Sequence, residues 1–118
     1  MSENADTAKE GKKMMIRKAF KMKVYSGYHD EYKKRHDEIW ESLKKVLKSH
    51  GAHNYSIFLD EETDSLFAYV ELESEELWDK VAKTEECRKW WDFMKDIMET
   101  NEDNSPKSLE LREVFHLG

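Results

Sequence analysis

Apolar residues in this chain recur at period two, then near 3.6, then twice more at period two, again near 3.6, and finally at period two. That order restricts the fold more than any single residue does. Ile16, Phe20, Met22 and Val24 sit at even spacing, interrupted only by Lys18, and predict a first strand. Tyr25-Ser26-Gly27 supplies a turn. Tyr32, His36, Ile39, Leu43, Val46 and Leu47 then follow helical spacing to about His50, with Gly51 as the C-terminal stop, which predicts one long helix. His53, Tyr55, Ile57 and Leu59 alternate with Asn54, Ser56 and Phe58, and after the polar loop Asp60 to Asp64 the run Leu66 to Leu72 alternates again, as an antiparallel hairpin does. Ser74-Glu75-Glu76 has the form of a helix N-cap with acids in the first turn, ahead of Leu77, Trp78 and Val81. Thr84-Glu85-Glu86 repeats it, so this helix is expected to break and restart before Trp90, Trp91, Met94, Ile97 and Met98. Past the turn-rich Asn101 to Pro106, Leu109, Leu111, Phe115 and Leu117 predict a closing strand, with Glu113 out of pattern.

Strand, helix, strand, strand, helix, strand is the ferredoxin-like βαββαβ order, an α+β fold with an antiparallel sheet and its helices on one face. The other face would carry Phe58, Phe67, Tyr69 and Val114, too apolar together to leave in water. A two-fold homodimer with sheets packed face to face is the simplest cover, and it leaves one cavity per chain. The 118 residues suit one domain. Residues 1–13 have almost no large apolar side chain and read as a disordered extension or tag, which leaves 14–118 as the domain.

With 20 Lys plus Arg against 26 Asp plus Glu and a net charge of −6, the chain repels a phosphate backbone, which argues against nucleic acid. No apolar run is long enough for a membrane helix and the start has no signal pattern, so a cytoplasmic protein is expected. The one cysteine, Cys87, reads as a small packing residue. A metal site is not expected. His36 has no second ligand four residues away on its helix, and His50 and His53 straddle Gly51, so their side chains need not converge.

Steps of four place Tyr32, His36 and Trp40 on one helix face, one turn apart. A structural helix ordinarily has Leu, Ile or Ala in such slots. Here they offer a hydroxyl, an imidazole whose ordinary pKa of about 6.5 suits proton transfer at neutral pH, and an indole, as expected for the wall of a pocket for a small polar ligand. Trp40 is the one of the three better suited to the core. Trp90 and Trp91 diverge by about 100°, so one can pack inward while the other flanks a cavity. Tyr55 shares its strand face with Ile57 and has a hydroxyl that needs a partner.

Several segments taken together resemble the L-rhamnose mutarotase family from about Ile16 to Leu117. They are Ile16-Arg17-Lys18-Ala19-Phe20, Glu31-Tyr32 with Arg35-His36 and Ile39-Trp40, Leu47 through Tyr55, Glu71 to Trp78, Trp90-Trp91, Asp103-Asn104-Ser105-Pro106 and Glu113-Val114-Phe115. The resemblance implies a dimeric α+β barrel isomerase that interconverts the α and β anomers of L-rhamnopyranose without a cofactor. His36 would be the proton donor, and Tyr32, Tyr55, Trp90 and Trp91 the substrate-binding side chains. Where many members carry prolines, this chain has Glu38, Glu41 and Glu102, and loss of helix-interior prolines predicts a straighter or longer helix past His36. Two other classes share features with this reading: the dimeric α+β barrel monooxygenases, which use the same element order, and a non-catalytic sugar-binding protein.

Overall fold

The computed structural model describes residues 14–118, so the expectation for residues 1–13 lies outside the described residues. Four strands, β1 (Ile16–Lys23), β2 (Ala52–Asp60), β3 (Ser65–Leu72) and β4 (Leu109–Leu111), form one antiparallel sheet in the order β2-β3-β1-β4. Among the described residues four helices complete the ferredoxin-like α+β fold: α1 (His29–Asp37), α2 (Glu41–Ser49), α3 (Glu75–Val81) and α4 (Glu85–Met94).

The core lies between the sheet and these helices. β3 contributes Leu66, Ala68, Val70 and Leu72, all essentially inaccessible to solvent. Their neighbours across the ladder, Met22, Phe20, Lys18 and Ile16 of β1, fall on the same inward face by strand alternation. Leu43, Val81, Trp90, Met94, Ile97 and Met98 close over them. Ser74 and Thr84 cap α3 and α4 by accepting hydrogen bonds from the backbone N–H groups of Leu77 at 3.1 Å and Cys87 at 3.2 Å, so the break between these two helices falls where the repeated cap signature places it.

The first helical region differs from the expected single long helix. It is two nine-residue helices, separated at Glu38-Ile39-Trp40 although no proline is present. Trp40 adopts extended backbone angles (φ −64°, ψ 137°) as the N-cap of α2. In that conformation its indole lies edge-on to Trp90 at 5.0 Å and against Phe93 at 5.6 Å, while Ile39 packs onto the core. Burial of these two side chains outweighs the backbone bonds lost at the break, and the loss of prolines does not lengthen α1.

Two strands also depart from simple alternation. Asn54 has a φ of 48° and forms a bulge between His53 and Ser56. His53 therefore pairs with Glu71 on the outer face, while Tyr55, Ile57 and Leu59 line the inner side, so His53 does not share their face. The closing strand ends at Leu111 rather than Leu117. β4 is an edge strand paired with β1 alone, and β1 begins only three residues before Ala19, the partner of Leu111. Beyond that the ladder gives way to a side-chain pair, with Arg17 Nε and Nη2 each donating to Glu113 at 2.9 Å. Val114, Phe115 and Leu117 then lie about four-fifths exposed.

At the junction of α2 and β2, Gly51 has a φ of +82°, its N–H donates to Lys48 O, and an added Cβ would lie 3.0 Å from Glu73 Cβ. Gly51→Ala is expected to lower unfolding stability by about 1–2 kcal/mol, the scale of the left-handed penalty for an L-residue. Thermal denaturation followed by circular dichroism should show the midpoint fall by several degrees, and an unchanged midpoint would contradict this account.

Candidate functional site

Between the inner face of the sheet and the helices lies a cleft of about 1210 Å³, open on one side. Small-molecule sites commonly measure about 300–1,000 Å³, so a monosaccharide fits with water to spare. Tyr32, His36, Tyr55, Trp90 and Trp91, the five residues singled out in the sequence, all line this one cavity.

His36 sits at its centre of contacts. The Tyr32 ring stacks on the imidazole with centroids 4.3 Å apart, and Trp90 meets it edge-on at 5.3 Å. Nδ1 lies 3.1 Å from the Tyr32 carbonyl, which can only accept, so Nδ1 carries the proton and Nε2 keeps its lone pair. Burial among these rings pulls the pKa below 6.5, against the smaller opposing effects of the carbonyl and Asp37. The result at neutral pH is a neutral imidazole of defined tautomer, able to take up a proton at Nε2.

Arg35, the residue before it, fastens α1 in place. Its guanidinium donates to Glu31 Oε2 at 2.9 Å, to Phe93 O at 2.6 Å and to Asp96 Oδ1 at 2.9 Å, and it lies 4.4 Å from the centroid of the Phe93 ring. The same contact holds the Asp96 carboxyl below its usual range. Arg35 thus ties α1 to the end of α4, the helix that carries Trp90 and Trp91.

The two tyrosines supply hydroxyls that stay protonated. Burial, with Tyr55 adding to it, drives the Tyr32 phenol far above its ordinary value of 10. Tyr55 lines the open cleft, so water reaches 38% of the residue, yet the protein atoms crowded around its hydroxyl push that phenol up to about 12. Trp78 of α3 meets the Tyr55 ring at 5.9 Å and lines the same wall. Trp90 is buried in the core as well as lining the cleft, and Trp91 is partly buried beside it. Trp40 belongs to the packing behind the site and does not line it. Cys87 lies in the floor, where burial raises its thiol to about 11 and keeps it protonated.

Sequence reasoning passed over three other lining residues. Trp78 reads as ordinary helix core. His29, whose Nε2 lies 2.7 Å from Asp64 Oδ1 at the cleft edge, has no pattern to mark it. Lys18 did leave a signal, as the one charged residue on the inward face of β1. Among the described residues no three of His, Cys, Asp and Glu come together as a metal-ligand set, and His50 and His53 point to separate partners, Val46 O and Glu73. No helix among the described residues is long and apolar enough to cross a membrane.

The family model described as L-rhamnose mutarotase matches residues 17–117. An L-rhamnose mutarotase of Clostridium beijerinckii is 63% identical over 103 residues, covering 87% of this chain and 99% of that protein. The crystal structure of L-rhamnose mutarotase FA22100 from Formosa agariphila superposes with a TM-score of 0.81 at 48% identity, covering 87% of this chain and 99% of that one. A dimeric ferredoxin-like protein from an uncultured marine organism, at 16% identity and a TM-score of 0.60 over 90% of this chain and 95% of its own, shares the fold alone. A family match over 101 of 118 residues and relatives near 60% identity place this chain in the L-rhamnose mutarotase family.

Proposed function

We propose that this cleft interconverts the α and β anomers of L-rhamnopyranose by acid-base ring opening and closure, with His36 as the proton-transfer residue. The observation that carries the proposal is the neutral, tautomer-fixed imidazole held between Tyr32 and Trp90 in a cavity of monosaccharide size. Family membership supplies the sugar.

The reaction transfers one proton and is redox-neutral. In the pyranose, the anomeric hydroxyl and the ring oxygen are bonded to the same carbon. His36 Nε2 takes the hydroxyl proton as the bond from C1 to the ring oxygen breaks, giving a carbonyl at C1 and an alkoxide at the former ring oxygen. The imidazolium, still donating through Nδ1 to the Tyr32 carbonyl, returns the proton to that alkoxide. Rotation about C1–C2 and closure on the other carbonyl face, by the same transfers in reverse, gives the second anomer. Tyr32 and Tyr55 hydroxyls hold sugar oxygens, and Trp90 and Trp91 cover the C–H face and the 6-methyl group. No cofactor is required, because the solution reaction already proceeds slowly and general acid-base catalysis adds roughly 10²–10⁴-fold.

The outer sheet face supports a homodimer. Phe58 and Phe67 are directly paired across β2 and β3, and Phe58 and Leu109 are each more than three-fifths exposed. A second copy meeting this face through a two-fold axis covers these residues and leaves each inner cleft open. A cytoplasmic site of action fits an isomerase that acts on a free monosaccharide.

Purified protein should accelerate exchange between L-rhamnose anomers in saturation-transfer NMR. His36→Ala should lose about 10²–10⁴-fold of that acceleration while keeping its circular dichroism spectrum. An unchanged exchange rate in the folded variant would remove His36 from its role. A sugar-binding protein without catalysis would bind L-rhamnose and leave exchange at its spontaneous rate, and a monooxygenase would need dioxygen.

The working form of His36 is neutral, and its pKa lies below 6.5. Acceleration should therefore rise with pH through an acid limb centred below 6.5 and flatten above it. A limb centred above 6.5 would contradict the desolvated setting of the ring.

In sedimentation analysis the wild-type chain should run at twice its 14.2 kDa mass and Phe58→Lys at 14.2 kDa. A wild-type monomer would overturn the dimer.

A further inference from the structure

Of the three residues with which β1 faces the core between Ile16 and Val24, two are Phe20 and Met22 and the third is Lys18. The Lys18 side chain is only 16% exposed, and Nζ lies 3.1 Å from Glu110 Oε1 and 3.6 Å from Glu75 Oε1. Glu110 is directly opposite Phe20 across the β1–β4 ladder and so faces inward, and Glu75 opens α3. Lys18 and Glu110 line the same cleft as His36.

A structural role explains this cluster poorly. Both carboxylates are more than half exposed, and ion pairs to such groups add little stability. Placing an ammonium on an otherwise apolar strand face carries a desolvation cost that Leu or Ile would avoid. Burial works to lower the Lys18 pKa, but the two carboxylates outweigh it and hold the ammonium charged. Two of its three N–H groups are directed to carboxylates, which leaves a third donor, and the carboxylates keep oxygens free to accept.

Register fixes how this cluster stands to the rest of the site. Lys18 pairs with Val70 of β3, and the bulge of β2 places Asn54 and Tyr55 against the same Val70 from the other side. Lys18 and Tyr55 therefore flank Val70 about two strand spacings apart, roughly 9–10 Å, before their side chains reach inward. Tyr55 in turn lines the same cleft as Tyr32, on which His36 stacks. Lys18 and His36 line one cleft, so a sugar with its anomeric carbon at His36 and its ring extending toward β1 would bring its far hydroxyls to Lys18. An ammonium beside a carboxylate matches a vicinal diol, with the remaining N–H donating to one oxygen and the carboxylate accepting the proton of the neighbouring hydroxyl.

We propose that Lys18, with Glu110, binds the vicinal hydroxyls of the pyranose remote from the anomeric carbon and so determines which aldose the cleft accepts. This rests on the assignment of the cleft as the sugar site.

Methyl α-L-rhamnoside cannot open, so its binding reads this contact independently of turnover. Its 3-deoxy analogue lacks the one oxygen common to both vicinal pairs. By NMR titration the wild type should bind the rhamnoside roughly 10- to 100-fold tighter than the 3-deoxy compound, the range for a hydrogen bond to a charged group. Lys18→Met should reduce that preference below about threefold by weakening the rhamnoside alone. A folded Lys18→Met that keeps the wild-type preference, or a wild type that binds both ligands equally, overturns the proposal. Glu110→Gln, on the exposed edge strand, should diminish the preference in the same direction and carries the test if Lys18→Met does not fold. A wild type that shows the preference yet leaves anomer exchange at its spontaneous rate would overturn the mutarotase reading and leave Lys18 as a diol contact.

Discussion

The contact on which the site depends is the wedge of the His36 imidazole between the face of Tyr32 and the edge of Trp90. Tyr32 and His36 belong to α1 and Trp90 to α4, so the two halves of the chain meet at this ring. The same packing that joins them removes water from the imidazole, and that desolvation is what keeps it neutral. Structural adhesion and protonation state thus share one cause. A smaller residue at Trp90 would loosen the helix pair and rehydrate the ring together, and effects of that kind do not separate into a stability part and a chemical part.

α1 could not hold this geometry alone. A nine-residue helix is too short to be stable in water, and its only buried residue is Tyr32. Its surface ion pairs, Lys33 to Asp37 and Lys34 to Glu38, are exposed and add little. The Arg35 guanidinium differs because it reaches a backbone carbonyl, a carboxylate and an aromatic face on the far side of the cleft wall at once. Its planar fork serves contacts in several directions, which the single ammonium of a lysine does not. Arg35 and the break at Trp40 therefore act in concert, one fixing the last turn of α1 and the other stopping the helix so that the Trp40 indole can back the Trp90 ring.

The element order and the repeated caps at Ser74 and Thr84 were legible because they depend on period and local hydrogen bonding, which neighbouring residues determine. The five expected site residues could be singled out because a hydroxyl, an imidazole and indoles occupy slots where aliphatic residues are ordinary. What escaped was decided at long range. Nothing local ends α1 at Asp37; the reason lies in Trp90 and Phe93, more than fifty residues on. The bulge at Asn54 turns His53 outward through one residue in a left-handed conformation, which alternation alone cannot reveal. Lys18 was visible as an irregularity in a strand, but its meaning required Glu110, brought beside it only by the β1–β4 ladder.

The cleft exists because of a mismatch in side-chain size between sheet and helices. The inner face of the central strand β3 carries Ala68 and Val70 at its middle, both wholly buried and both short. Over them the helices present Tyr32, Trp78 and Trp90, which pack onto the sheet and whose rings are also braced against His36, Tyr55, Trp40 and Phe93. Protein interiors ordinarily close such gaps to crystal-like density, and a single indole free to rotate inward would fill part of this one. Bracing the rings on one another restrains that rotation, so the aromatic contacts both fill the core and help to keep the cleft beside it open. A polar wall at Lys18 and Glu110 on the sheet side, opposite an aromatic wall on the helix side, then gives the empty space two unlike faces, as a molecule with hydroxyls on one part of its ring and C–H bonds on another requires.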